Sequence, residues 1–176
     1  MLLESARLIL RRFRPADSAA LSAYQSDPSV ARYQSWTPPV PPDMAARLVV
    51  AFAAGDPSRP GWFQYAIEHR AQRCLIGDVG VRLHDNRMQA DLGFTLAGEW
   101  QGNGYATEAV RTVLGYLFGQ GLHRVSAECD ARNERSARLL QRVGFQREGY
   151  RPGYTWLKGE WTDDYLFGLL ADQWQK

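Results

Sequence analysis

Residues 101–106 read Gln-Gly-Asn-Gly-Tyr-Ala, and apolar residues then recur at near-helical spacing at Ala106, Ala109, Val110, Val113, Leu114 and Leu117. The run therefore opens a helix. The first N–H groups of a helix have no carbonyl one turn behind them and stand at the positive end of the helix dipole. A glycine-rich turn that feeds them is suited to an anion such as a pyrophosphate, and Gly102 and Gly104 allow close approach and unusual φ. Two glycines alone fit a plain connecting turn equally well, and they fit the start of a dinucleotide-binding unit. The latter wants a third glycine at position 107, which here is Thr107.

Other chemistries have less support. Cys74 and Cys129 lie far apart, and His69, His84 and His123 are scattered without i, i+4 or Cys-x-x-Cys spacing, so neither a disulfide framework nor a metal site is expected. The 21 basic and 19 acidic side chains leave a formal charge of +2 with no basic tract, which speaks against nucleic acid as the main partner. No apolar run approaches the roughly 20 residues that cross a bilayer, and no signal peptide precedes Arg7. A reduced cytoplasmic protein without a membrane partner is the expectation.

The loop needs a scaffold, and the 176 residues, 45% of them hydrophobic, suffice for one domain over residues 1–176. Residues 7–13 read as a strand, and an alanine-rich helix follows to about Gln25. Pro38, Pro39, Pro41 and Pro42 make a loop, since each removes a backbone donor and fixes φ. A second helix is expected over residues 44–54, then strands over 62–68, 74–83 and 90–96 with tight polar breaks between them. The helix from residue 104, a strand over 123–129, a helix over 133–143 and a terminal hairpin turning at Lys158-Gly159-Glu160 complete the chain. Strand, helix, strand from Ala90 to Cys129 fits a parallel pair with a right-handed crossover, whereas the flanking hairpins require antiparallel pairing. The fold class is α/β: a mixed, mostly antiparallel sheet with a central parallel pair and helices on both faces.

Gln101, Gly104 and Ala106 match, position by position, the Q/R-x-x-G-x-G/A pyrophosphate loop of the GNAT acetyltransferase superfamily, which the chain resembles. The likeness continues through Thr107-Glu108-Ala109, His123-Arg124-Val125, Asn133-Glu134-Arg135-Ser136, Gly144-Phe145, Glu148-Gly149 and Trp161-Thr162-Asp163, and includes Arg7-Leu8-x-Leu10-Arg11. These residues look like the RimJ/RimL-type branch, whose best-known members acetylate protein N-termini. Least matched are residues 36–60, where the resemblance leaves room for substrate choice.

The resemblance implies acetyl-CoA as cosubstrate, without a metal, and a primary amine as acceptor, on a protein N-terminus or a small molecule; a homodimer is a family habit. Phe94, Thr95 and Leu96 would offer backbone groups to the pantetheine arm. Gln101, Gly102, Asn103, Gly104, Tyr105, Ala106 and Thr107 would wrap the diphosphate, with Asn133 and Ser136 near the sulfur. Acyl transfer to an amine needs a neutral amine, a polarised thioester and a proton for the departing thiolate. Many family members protonate the thiolate with a tyrosine four residues before the Gly-Phe pair, but that position is Leu140. By resemblance Ser136 substitutes; by its residue type a serine in a first helical turn also bonds local backbone, and Asn133 is an ordinary N-cap. Asp91 stands where the branch more often has glutamate and would take the amine proton through water, or else pair with a neighbouring arginine such as Arg87. A further carboxylate used by some members falls near Thr155, which is not acidic. Trp36 is the aromatic residue assigned to the acceptor pocket. Non-catalytic CoA binding remains the reading from another class.

Overall fold

The structure, a computed structural model, describes residues 2–174. Eight strands form one sheet: β1 (Leu3–Glu4), β2 (Leu8–Arg11), β3 (Gly61–His69), β4 (Cys74–Leu83), β5 (Gln89–Leu96), β6 (Arg124–Asp130), β7 (Gln146–Leu157) and β8 (Glu160–Leu170), in the spatial order β1-β2-β3-β4-β5-β6-β8-β7. Only β5 and β6 run parallel, as the crossover through α4 (Tyr105–Gly119) requires. The remaining helices are α1 (Ser18–Ser26), α2 (Pro28–Ala31), α3 (Pro42–Ala54) and α5 (Glu134–Arg142).

Strand alternation divides the sheet into two buried faces. Phe63, Tyr65, Ile67, Val79, Val81, Leu92, Val125 and Phe167 turn toward α4 and α5, which contribute Ala109, Val110, Val113, Leu114, Leu139 and Leu140. On the other face Ala66 and Leu75 meet Leu21 and Tyr24 of α1 and Ala45 and Val49 of α3. The second face also buries charge: Arg11 donates to Glu68 (2.5 Å) and to both oxygens of Asp17 (2.8 Å each).

Three local features depart from the sequence expectations. The strand expected over residues 7–13 is shorter, Leu8–Arg11, and an additional strand precedes it, because the chain reverses between Glu4 and Leu8 and pairs Leu3 with Leu10. Pro42 belongs to α3 rather than to the loop, since the donor proline lacks is one a first helical turn leaves unpaired anyway. The short α2 was not foreseen; Asp27 caps it by accepting from Ser29 N–H at 2.8 Å. The terminal hairpin turns where expected, with Lys158 and Gly159 both at positive φ, the conformation that suits a two-residue turn between twisted strands.

Candidate active site

Strands β5 and β6 are paired over three rungs only, Gln89↔Arg124, Ala90↔Val125 and Asp91↔Ser126. Beyond that point β5 continues to Leu96 and β6 to Asp130 without pairing, so a wedge opens in the middle of the sheet. Ala97 N–H bonds Ile76 O on β4. Antiparallel alternation then turns the backbone groups of Leu96 and Phe94 away from β4 and into the wedge. The Leu96 carbonyl accepts from the Gln101 side chain at 2.9 Å. Phe94 has its N–H and C=O directed at the space β6 has left.

The wide end of the wedge leads to the α4 N-terminus. Gly102 and Gly104 have φ of +82° and +81°, in the left-handed region where a side chain is strained. No side chain caps α4, and the N–H groups of Gly102, Asn103 and Gly104 find no backbone acceptor. With the amides of Tyr105, Ala106 and Thr107, which have no carbonyl one turn behind, they form a concentration of free donors that fits the oxygens of a diphosphate.

Side chains of the loop mostly hold it in place. Gln101 ties β5 to α5, bonding Leu96 O and accepting from Arg135 Nη1 at 3.3 Å. The Asn103 amide returns to Gln101 O at 3.1 Å. The Tyr105 hydroxyl lies 3.2 Å from His69 Nε2, and its ring meets Trp100 and His69 edge-on. Arg7 binds the Asn103 carbonyl (3.0 Å) and Glu108 (2.6 Å) and lies over the Tyr105 ring. Burial works against the charge of Glu108, but hydrogen bonds from Arg7 N–H, Ser5 and the Arg7 side chain outweigh it and lower its pKa. The sequence signalled Arg7 only as part of an opening strand, and its clasp on a loop 96 residues away was not legible.

The two residues nominated for catalysis lie on opposite sides of the sheet. Asn133 caps α5, accepting from Ser136 N–H at 3.2 Å. Burial pushes the Cys129 thiol up to about 11, with the neighbouring Ser136 side chain acting in the opposite direction. Cys129 packs with the α4 and α5 face; it and Cys74 are free thiols. Asp91 projects from the other face, at the vertex of the wedge. Its Oδ2 lies 3.0 Å from His84 Nε2 and 3.8 Å from Arg82, so its partners are these two rather than Arg87.

Above the Asp91 side the α1–α3 connection makes a roof. Gln34 Nε2 reaches Thr95 Oγ1 at 3.5 Å, Tyr33 reaches Arg132 O at 3.3 Å, and the Lys158 ammonium bonds Ala31 O. Trp36 packs against the second core and donates to Gln25 O at 2.9 Å, which gives it the job of fastening this roof. Beneath it Tyr24 donates to Asp78 at 2.6 Å. Burial is the cause that lifts Asp78 to about 6, against the opposing Tyr24 bond; Tyr24 itself is raised well above the ordinary tyrosine range, mainly by burial. Thr155, where an acid was sought, donates to the buried Asp164 at 2.6 Å. Among the described residues no group of three or more His, Cys, Asp or Glu side chains could hold a metal, and no helix is long and apolar enough to cross a membrane.

Comparison with known proteins identifies the family of the chain. The acetyltransferase (GNAT) domain model matches residues 7–146. The uncharacterized N-acetyltransferase YoaA of Bacillus subtilis is 32% identical, over 96% of this chain and 96% of its own. The ribosomal protein uS5-alanine N-acetyltransferase of Escherichia coli is 37% identical over a shorter stretch, 47% of this chain and 43% of that enzyme. A GNAT-family acetyltransferase from Bacillus anthracis shares the fold with a TM-score of 0.87 at 24% identity, over 98% of this chain and 99% of that one. A domain match over most of the sequence, with a relative aligned nearly end to end, settles its kinship: the chain belongs to the GNAT acetyltransferase family and is an acetyl-CoA-dependent N-acetyltransferase.

Proposed function

We propose that the acceptor is the N-terminal α-amine of a protein or peptide, acetylated by direct transfer across the wedge between β5 and β6. The observation that carries direct transfer is the opening of the sheet after the Asp91↔Ser126 rung, with free amides at one end and the partly exposed Asp91 on the face opposite α5. Support for a protein N-terminus comes from the Escherichia coli relative, which acts on alanine of ribosomal protein uS5.

In this reading the amides of residues 102–107 bind the diphosphate, with Gln101 and Arg7 holding the loop rigid. The Phe94 backbone pairs with the pantetheine amides as a strand would, and a backbone N–H near residues 94–96 polarises the thioester oxygen. Asn133 orients the first turn of α5 so that the Ser136 hydroxyl meets the departing sulfur. Asp91, on the far side, serves the amine proton. Base and acid thus stand on opposite faces, the arrangement required when acceptor and leaving group occupy opposite sides of one carbonyl. Acetyl-CoA, when bound, supplies the activated acyl group.

Thiol release from acetyl-CoA, measured against N-terminal peptides, polyamines, aminoglycosides and free amino acids, tests the assignment. Peptide-selective turnover is expected, and Ser136→Ala should lower kcat by roughly 10- to 100-fold with little change in KM for acetyl-CoA. Turnover confined to polyamines or aminoglycosides would overturn the N-terminal assignment, and cofactor binding without turnover on any amine would overturn the catalytic one.

A further inference from the structure

The carboxylate at the vertex of the wedge is held by an imidazole. Asp91 Oδ2 lies 3.0 Å from His84 Nε2, and both side chains are 35% exposed. His84 follows β4 at the mouth of the β4–β5 hairpin, its N–H bonded to Gln89 O. Arg82, two positions earlier, faces the same way, opposite Asp91. The β5–β6 wedge begins one residue beyond Asp91, so the imidazole stands at its closed end, on the face turned away from α5 and Ser136.

A carboxylate on Nε2 fixes that nitrogen as the N–H donor. Nδ1 is then left as the lone-pair nitrogen, and among the described residues no protein donor or acceptor reaches it. A carboxylate-oriented imidazole with one free nitrogen is the arrangement by which proteins make a proton acceptor. The charged groups around it are already occupied. Arg82 is 3.8 Å from Asp91. Across the last rung, Arg124 bonds Ser126 at 3.2 Å and pairs with Glu148 of β7.

We infer that His84 is a catalytic residue: its Nδ1 takes the proton from the acceptor ammonium, while Asp91 is the positioning residue that sets its tautomer and stabilises the imidazolium. The inference rests on the acetyl-transfer reading and gives His84 the place otherwise filled by water. The acceptor arrives as R–NH3+ and passes one proton to Nδ1, from which it goes to solvent. The freed lone pair forms the C–N bond, the C–S bond breaks, and a second nitrogen proton ends on the thiol as the amide forms. One ammonium and one thioester thus give one amide, one thiol and one released proton.

The test is kcat/KM for thiol release between pH 5.5 and 9, with acetyl-CoA and the amine that wild-type protein uses, for wild type, His84→Gln, His84→Gly, Asp91→Asn and Asp164→Asn. Acetyl-CoA affinity of each variant is measured separately by calorimetry. His84→Gln is expected to lower kcat about 100-fold and abolish the acid-side limb of the profile, with affinity for acetyl-CoA unchanged. Asp91→Asn should fall less, about 10-fold, and added imidazole should restore part of the rate of His84→Gly. A His84→Gln enzyme that keeps the wild-type rate and profile overturns the inference, as does loss of the limb in Asp91→Asn or Asp164→Asn alone. Wild-type protein that binds acetyl-CoA but turns over no amine overturns the acetyl-transfer reading itself, and the inference with it.

Discussion

The two faces of the sheet are held by different physics. Below it, α4 and α5 rest on a continuous apolar core, and the groups proposed to meet the cofactor come from two short segments, residues 94–107 and 133–136. Above it, α1–α3 cover a smaller core in which polar side chains are buried: Arg11 with Asp17 and Glu68, and Tyr24 with Asp78. On the side proposed for the cofactor, the free amides of α4 and the cap of α5 are set by nearest neighbours along the chain, and Arg7 adds a clasp on the loop from 96 residues away. The side proposed for the acceptor is held by contacts such as Lys158 to Ala31, 127 residues apart, and Gln34 to Thr95, 61 apart.

The strongest way to break this contrast is Arg11→Ala. Removing the cation leaves Asp17 buried without a counter-charge and Glu68 with only the exposed Arg14, 3.7 Å away, at a cost of about 3–5 kcal/mol. Urea denaturation should show that loss while the remaining folded protein keeps its acetyl-CoA affinity. A loss below about 1 kcal/mol would mean that the buried charges of the acceptor side do not set its stability. Gly104→Val probes the other face. At φ +81° a branched side chain is strained, and it would crowd the free amides near Arg7. Acetyl-CoA affinity should fall on the order of 100-fold, about 3 kcal/mol, with the melting temperature nearly kept; unchanged affinity would detach the loop from diphosphate binding.

Asp78→Asn sharpens the comparison with a smaller effect and a definite sign. The folded carboxyl holds its proton up to about 6, whereas its ordinary value is 3.8. Wild-type stability from this group is therefore full below about pH 4 and is lost as pH rises through 6, because the folded state binds the extra proton. Asparagine does not ionise and still accepts the Tyr24 hydroxyl. The variant should be more stable than wild type by about 1–3 kcal/mol at pH 8, and the difference should vanish near pH 4. A difference independent of pH would assign the effect to packing.

The legible part of the site follows the same division. The Gln101–Thr107 run and Asn133-x-x-Ser136 declare themselves because helix termini are local: an orphan amide or a cap is fixed by a few neighbouring residues. The tight polar breaks also foretold the hairpins, and the strand-helix-strand order the parallel pair. Trp36 shows where such reasoning stops, since the sequence does not tell that its indole N–H donates to Gln25 O. His84 was counted only as an isolated histidine, because its partner Asp91 lies across a hairpin whose register the sequence did not provide.

By itself, then, the sequence determined the order of the elements apart from β1 and α2, the free amides at the start of α4 and the cap of α5, each a matter of short-range backbone geometry. Only the tertiary structure decided that the sheet opens after Asp91 and Ser126, that Ser136 and Asp91 stand on opposite sides of that opening, and that Arg7 clasps the loop. These depend on which strands become neighbours, and a one-residue change of register would turn each side chain to the other face.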